Sequence, residues 1–299
     1  MKQLPRSRFR WKQLGTGLLF VSPWLIGFAA FVIYPLVYNI YLGFTEFSGF
    51  GEPTWIGTDN YERLVRDDLF WRSLYNTLYY TLLAVPIGVV AALVLALAMN
   101  LPIKEMPIYR AAIVLPSVLP AFALSFVFIW LLNPRYGLVN RALIALGLPS
   151  INWLGDPFWA KFSIVLLAQM GAGQFALIFL ASLRAIPKTL YDAARIDGAN
   201  VLQRFVRITL PLMTPVFLYD VVVGLGLALQ IFTPAYIMTG GGPADATLFY
   251  ALYLYRNAFS YSELGYAAAL STILFGLTLV VAVGVFRYFN QQVNYEVGA

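Results

Sequence analysis

Long stretches without Asp, Glu, Lys or Arg dominate the pattern of this chain. They lie at 13–45, 73–103, 111–134, 162–183, 208–244 and 264–286. Asp220 is the one charged residue inside them. About 20 apolar residues can cross a bilayer as a helix, and continuous apolar runs favour helices over the alternating strands of a membrane barrel. The pattern therefore predicts an all-α polytopic membrane protein with six transmembrane helices.

We expect one transmembrane domain over residues 1–299. The predicted spans are roughly 14–43, 74–99, 110–133, 160–183, 211–239 and 264–287. A basic segment precedes the first span, as in a signal peptide, but the apolar run far exceeds the roughly 7–15 residues of a signal-peptide core and lacks a clear cleavage site. We therefore expect the first span to be retained as a membrane anchor.

The overall composition supports a membrane protein and narrows its chemistry. The chain is 60% hydrophobic and 11% charged, with a mean hydropathy of +0.73. Soluble domains have about 45–50% apolar and about 25% charged residues. The sequence has no Cys and no His, which excludes thiol nucleophiles, disulfides, imidazole catalysis and most zinc sites.

The distribution of charge predicts the orientation in the membrane. Six spans put both termini on one side, together with the segments 104–110 and 184–207. That side carries 13 of the 20 Lys and Arg residues and a net charge of +9, against −2 on the other side. Because Lys and Arg are enriched in cytoplasmic loops, we expect both termini to be cytoplasmic.

One predicted inner loop, 184–210, has an internal pattern of its own. Pro187 suits the first turn of a helix and Gly198 suits its left-handed end, so a short helix with Asp192 near its start is predicted over 188–197. Asn200 is a suitable N-cap for a second helix. This basic loop could receive a partner protein through the Asp192 carboxylate or lie on anionic headgroups. DNA binding is disfavoured, because spans tether both of its ends closely.

The same loop carries a sequence motif. Residues 190–215 read LYDAARIDGANVLQRFVRITLPLMTP. This resembles the EAA motif of the permease subunits of binding-protein-dependent ABC importers, in the branch that takes up sugars. Asp192 stands where the family usually has Glu, so the charge is kept on a shorter side chain.

The resemblance extends over nearly the whole chain. Segments 31–47, 76–88, 113–140 and 236–247 look like the corresponding parts of sugar permeases. Their order is most similar to the maltose-permease type, although the maltose permease has additional spans and a large insertion. The resemblance implies a type I ABC importer permease fold, with six spans and a cytoplasmic EAA coupling helix between spans four and five, in a bacterial or archaeal inner membrane.

The resemblance also implies a set of partners. A second permease, making a heterodimer, two cytoplasmic ATPase subunits and an extracytoplasmic sugar-binding protein are expected, with no nucleic acid. The EAA helix would sit in a groove of the ATPase, and Asp192 would pair with a basic residue there. The implied ATPase-coupling residues are Asp192, Ala193, Ala194, Asp197, Gly198, Ala199 and Phe205.

ATP itself is not expected to bind this chain. A phosphate-binding P-loop requires a Gly-Lys pair, and the sequence contains none. The glycines at 240–242 have no basic residue after them and are interpreted as a loop hinge. We therefore expect a subunit that is not an enzyme and has no catalytic, metal or cofactor residues, with ATP and Mg²⁺ bound by the partner ATPase.

Polar and aromatic residues within the spans are candidates for a sugar path, since unpaired polar groups are costly at membrane depth. The resemblance favours the middle of span five. The leading candidates are Gln230, Phe232, Tyr236, Trp130 and Asn133, with Asp220, Thr233, Gln169 and Gln174 as further polar residues. Each could instead join two helices or face lipid.

Other classes of membrane protein remain as alternatives. An ion-coupled secondary carrier would need a relay of ionisable groups, and Asp220 is the only carboxylate within a span. An intramembrane enzyme would need a nucleophile with a base, for which Cys and His are absent. A scaffolding role would require that the EAA helix bind no ATPase.

Overall fold

The structure is a computed structural model that describes residues 11–290 and is mostly helical. Its helices are α1 (Trp11–Phe28), α2 (Tyr34–Leu42), α3 (Asp59–Arg66), α4 (Asp68–Met99), α5 (Met106–Val118), α6 (Ala121–Leu131), α7 (Leu138–Ala145), α8 (Pro157–Ala168), α9 (Ala172–Ala185), α10 (Lys188–Ile196), α11 (Val201–Arg204), α12 (Leu210–Leu212), α13 (Thr214–Leu229), α14 (Thr233–Met238), α15 (Tyr250–Tyr255) and α16 (Leu264–Asn290). Short 3₁₀ or π turns continue some of them at Ala29–Ile33, Gln169–Gly171, Phe205–Thr209 and Arg256–Ser260. Two-residue strands β1 (Thr45–Glu46) and β2 (Thr54–Trp55) pair antiparallel.

Several described helices are long and apolar enough to cross a membrane. Four qualify individually, namely Gly15–Leu42, Asp68–Met99, Pro157–Ala185 and Leu264–Tyr288. Two further helix pairs qualify only when each bent pair is taken as one span, which gives up to six. The exact six spans, the single domain and the orientation stay predictions. The basic segment 1–10 and the C-terminal residues 291–299 lie outside the described part of the chain.

The two bent pairs are where the structure departs from simple straight spans. Met106–Val118 and Ala121–Leu131 meet at 98°, and Val201–Leu212 and Thr214–Leu229 meet at 62°. At the first break Leu119 is extended, with φ −72° and ψ 137°, because the following Pro120 disfavours the helical conformation of the residue before it.

The described chain divides into two compact units. Within the described residues, unit 1 comprises 11–64 and 257–272, and unit 2 comprises 65–256 and 273–290. In unit 1, Asn39 Nδ2 donates to Ser271 Oγ over 2.7 Å, which joins α2 to the start of α16. Asn60 Nδ2 donates to the carbonyls of Gly43 and Thr45 and holds the turn that follows α2. Backbone groups that would otherwise be left unpaired are thereby satisfied.

Unit 2 is built around the long helix α4. Side chains of its second half pack against α9, where Ala92, Ala96, Ala176 and Phe179 are all fully buried. Small residues let helices approach closely, which is the main source of helix association where lipid replaces water. Phe179 also meets Phe217 of α13 edge to face, at 5.0 Å between ring centres.

Side-chain caps fix where α4 and α8 of unit 2 begin. Asp67 accepts from the amides of Leu69 and Phe70 at the start of α4. Asp156 does the same for Phe158 and Trp159 at the start of α8. An N-cap of this kind contributes about 1 kcal/mol by satisfying exposed helix donors.

Candidate functional site

The predicted EAA loop is two short helices joined by a tight turn. Helix α10 ends in a Schellman motif, in which Ala199 N donates to Ala194 O at 2.8 Å and Gly198 N donates to Arg195 O at 3.1 Å. Gly198 has φ +77°, the left-handed conformation predicted for it. The predicted helix over 188–197 is confirmed, one residue shorter at its end.

A capping box starts the second half of this loop. Asn200 Oδ1 accepts from Gln203 N, and Gln203 Oε1 accepts from Asn200 N, both at 2.9 Å. This confirms the predicted N-cap at Asn200. The Tyr191 hydroxyl hydrogen-bonds the buried Thr209 hydroxyl at 2.8 Å, which ties α10 to the chain leading into α12.

The outer surface of α10 and its turn is exposed. No residue of α10 is buried, and the Asp192 carboxylate lies 3.3 Å from Arg195 of the same helix, with both side chains more than 60% exposed. The same loop also exposes apolar side chains, namely Leu190, Ile196, Val201 and Leu202. A shallow groove of about 410 Å³ runs along the turn, lined by Ala194, Asp197, Gly198, Ala199, Gln203, Arg204, Arg207 and Ile208. The loop can therefore present small, apolar and charged groups to a partner.

Phe205 occupies the inner side of this loop. It lines a second space of about 500 Å³ together with Tyr191, Thr209 and the end of α9. Phe205 therefore differs from Asp192, Ala193 and Asp197, which are exposed. Of the seven predicted coupling residues, Asp192, Ala193, Asp197 and Gly198 are exposed, and Ala194, Ala199 and Phe205 are partly buried.

Two adjoining cavities lie among the helices of unit 2. The central cavity, of about 220 Å³, is lined by α4, α9, α13 and the turn at Gln169–Gly171. The adjoining cavity, of about 420 Å³, is lined by the ends of α5, α8 and α13 and the start of α14. Tyr80, Ala168, Gly171, Leu227 and Ile231 line both. Ligand sites in proteins are concave and mostly apolar with a few placed polar groups, which describes this pair.

The predicted sugar-path residues divide between this site and its surroundings. Gln230 and Phe232 line the adjoining cavity, at the break between α13 and α14. The Phe232 ring stacks on Tyr236, with ring centres 5.4 Å apart. Trp130 is half-exposed. The Asn133 side chain accepts from the amides of Arg135 and Tyr136 and so shapes the turn after α6.

Other residues at the site were not singled out from the sequence. Tyr80 of α4 lines both cavities, and Tyr255 of α15 packs against both Phe232 and Tyr236. A helical spacing of aromatic residues in α4 gives no indication of which ring faces a cavity. Asp220 and Gln169, noted only as polar residues within spans, both line the central cavity.

Hydrogen bonds from α4 position the chain that follows α14. Asn76 Nδ2 donates to the carbonyls of Asp245 and Leu248, and Thr77 Oγ1 accepts from Tyr250 N at 2.8 Å. Burial raises the pKa of the Tyr250 hydroxyl well above its usual value, with a smaller contribution from Tyr253. Tyr250 is therefore neutral at physiological pH. This framework fixes α15, and with it Tyr255, beside Phe232.

The chain resembles solved ABC importer structures over most of its length. A bacterial ABC transporter involved in the import of the acidic polysaccharide alginate matches with a TM-score of 0.81 and 24% identity, covering 94% of this chain and 98% of that one. The likeness confirms the predicted type I ABC importer permease fold.

Relatives at the sequence level agree. The probable ABC transporter permease protein YesP of Bacillus subtilis is 36% identical over 98% of this chain and 96% of the relative. The sulfoquinovosyl glycerol transport system permease protein SmoG of Agrobacterium fabrum is 38% identical, over 94% of this chain and 92% of the relative. The trehalose/maltose transport system permease protein MalF of Thermococcus litoralis is 32% identical, over 91% and 93%.

A family model covers most of the chain as well. The model described as binding-protein-dependent transport system inner membrane component matches residues 68–295, which include both cavities and the EAA loop. Together with the apolar helices, this match makes the chain a multi-pass inner-membrane permease. The chain belongs to the family of binding-protein-dependent transport system inner membrane components.

Proposed function

We propose that this chain is the permease subunit of an ATP-driven importer that moves a sugar or related polyol delivered by an extracytoplasmic binding protein. The observation that carries the proposal is the exposed α10 turn, held in shape by a Schellman motif and a capping box within a chain of this family. A rigid, exposed helix on a short tether suits the transmission of a partner's movement to the spans.

The loop supports separate ATPase subunits as partners. Asp192 and Arg195 are exposed and paired only loosely, so each can exchange its intrahelical partner for one on an ATPase at little cost, since exposed pairs contribute about 0–1 kcal/mol. The sequence has no Gly-Lys pair for a P-loop, so ATP and Mg²⁺ belong to those subunits. The coupling residues are the seven predicted from the motif.

Several relatives support a sugar as the substrate. Their names specify sulfoquinovosyl glycerol, trehalose or maltose, and lactose. The aromatic residues Phe232, Tyr236 and Tyr255 pack together beside the adjoining cavity, and aromatic faces suit the apolar faces of sugar rings. Gln230 adds a side-chain amide at the same break between α13 and α14.

The proposed arrangement in the membrane follows from charge. The α10 turn and both termini lie on the cytoplasmic side, six spans cross the bilayer, and a second permease completes the path. The excess of Lys and Arg in the segments assigned to that side supports this orientation. The alginate transporter solved in complex with a binding protein loaded with an alginate pentasaccharide supports a binding-protein partner here.

Reconstituted transport tests the proposal. The chain is purified in mild detergent from native membranes with its associated subunits, and the binding protein is added to proteoliposomes of this complex. We expect sugar uptake that requires ATP and persists when an uncoupler removes the proton gradient. Uptake that is abolished by the uncoupler and indifferent to ATP would instead identify an ion-coupled carrier.

A further inference from the structure

Two residues that line the central cavity each carry a buried side-chain oxygen without a hydrogen-bond donor. One is Oδ2 of Asp220, a side chain that is 4% exposed, and the other is Oε1 of Gln169. Both residues line the same space of about 220 Å³. A buried acceptor without a donor destabilises a folded protein. Such atoms are rare unless a water molecule, an ion or a ligand donates to them.

The orientation of the Gln169 amide leaves its oxygen as the unpaired atom. Its Nε2 donates to Val165 O at 2.9 Å and to Ala84 O at 3.4 Å. A reversed amide would place its oxygen against these two carbonyls, which offer no hydrogen to accept. Gln169 therefore contributes an acceptor to the cavity, and its own donor is already used.

The rest of the lining supplies no positive charge. Among the described residues that line the central and adjoining cavities there is no Lys and no Arg. The lining around Asp220 is largely apolar, including Gly224, Leu227, Ala228 and Ile231. In so weakly polarisable a space charges are poorly screened, so the carboxyl group dominates the local electrostatics.

These features select for a particular kind of occupant. Sugar hydroxyls are hydrogen donors and therefore suit a lining whose side-chain oxygens are acceptors. A carboxylate, sulfonate or phosphate group on the solute offers only hydrogen-bond acceptors to these oxygens. It would also place a second negative charge close to Asp220, and the lining has no cation to neutralise it. Like charges brought together away from water are strongly disfavoured.

We propose that Asp220 sets the charge class of the transported solute, while Gln169 adds a neutral acceptor, so that the central cavity takes a neutral, hydroxyl-rich solute and rejects an anionic one. This inference rests on the proposed function, since it assumes that the solute passes the central cavity. Two relatives have names that specify anionic cargo, sulfoquinovosyl glycerol and sn-glycerol-3-phosphate. The inference predicts that this chain does not transport solutes of that charge. Asp220 acts here as a specificity-determining residue.

Binding to the purified importer, without the binding protein, tests this directly. Saturation-transfer difference NMR suits the weak binding expected of a transport intermediate. The probes are four neutral disaccharides (maltose, trehalose, lactose and cellobiose), each compared with the uronic acid that differs from it by oxidation of one primary alcohol. Wild type is compared with Asp220→Asn and Gln169→Leu. The control is Glu52→Gln, which removes an exposed carboxylate that is far from Asp220 in the sequence.

The expected result is a change in discrimination. Wild type and Glu52→Gln should prefer the neutral member of a pair, and Asp220→Asn should reduce that preference by at least about tenfold, because like-charge repulsion is removed while the side-chain shape is kept. Gln169→Leu should weaken binding of the neutral sugar and leave the preference for neutral over acidic sugars intact.

Four outcomes would contradict the inference. Equal binding of neutral and acidic members by the wild type, or an unchanged preference in Asp220→Asn, would overturn it and leave ATP-dependent sugar uptake standing. Loss of subunit assembly in Asp220→Asn with unchanged discrimination would instead assign Asp220 to contact with the second permease. A wild-type complex that neither binds a probe nor takes up sugar with ATP would overturn the proposed function as well.

Discussion

Gly198 places a left-handed backbone at the centre of the α10 turn. Its φ of +77° is readily adopted by glycine, whereas an L-residue with a Cβ pays about 1–2 kcal/mol there. An added Cβ would meet no atom within 4 Å, so no steric clash complicates the position. The residue acts through its backbone conformation alone.

The more a substitution of Gly198 strains the backbone, the more it should disturb the coupling between ATP hydrolysis and sugar transport. Gly198→Val is expected to lower sugar-stimulated ATP hydrolysis by about tenfold in the reconstituted complex, because a cost of about 1.4 kcal/mol shifts an equilibrium by that factor. Gly198→Asn is the matched control and should retain most activity, since Asn tolerates the left-handed region. Equal activity of the two variants would contradict a role for this conformation.

Close helix approach in unit 2 depends on a different glycine. A Cβ on Gly173 of α9 would collide with the backbone oxygen of Ile113 in α5 and would approach Val114 Cα to 3.1 Å. Both contacts are to backbone, which cannot rotate away. The crossing of α5 and α9 thus requires a residue without a side chain.

Gly173→Ala should destabilise this helix pair. We expect a loss of about 1–3 kcal/mol, as for other overpacked interiors, seen as a lower midpoint of thermal unfolding in detergent. Gly284→Ala in α16 is the control, because a Cβ there meets nothing within 4 Å. It should leave the midpoint unchanged or raise it, since Ala is the better helix former. A midpoint as high in Gly173→Ala as in wild type would show that α5 can shift.

At the scale of the whole molecule, the exposed carboxylate of Asp192 is proposed to hold the permease to its ATPase. Reversing this charge should break the contact, because a lysine would face the basic partner residue and also Arg195. Asp192→Lys is expected to reduce the amount of ATPase that co-purifies in mild detergent by about tenfold or more.

A charge reversal elsewhere separates this contact from general effects of charge. Glu52→Lys makes the same change at an exposed residue in the segment that we propose to lie on the opposite side of the membrane. It should leave ATPase recovery unchanged. Full recovery of ATPase with Asp192→Lys would remove Asp192 from the proposed interface, while a loss with both variants would point to destabilisation of the complex.

Local signals in the sequence determined the helical membrane fold and the shape of the EAA loop. Apolar length sets the spanning helices, because a segment in lipid must satisfy its backbone hydrogen bonds internally. Pro187, Gly198 and Asn200 act within a few residues of their own position, so the limits of α10 and the start of α11 could be predicted from them. Pro120 ends a helix by a local effect, but the 98° bend between α5 and α6 depends on how each of these helices packs.

The cavities were decided by the tertiary structure. Gln230 and Phe232 could be predicted as site residues because polar and aromatic groups are unusual in the middle of span five. Tyr80 could not be predicted, because α4 contains several aromatic residues and no local pattern distinguishes the one that lines a cavity. Asp220 and Gln169 are 51 residues apart in the chain and line one cavity only because α13 packs beside α4 and α9. Such a meeting is a long-range property of packing, whereas span length, caps and turns are short-range properties of the sequence.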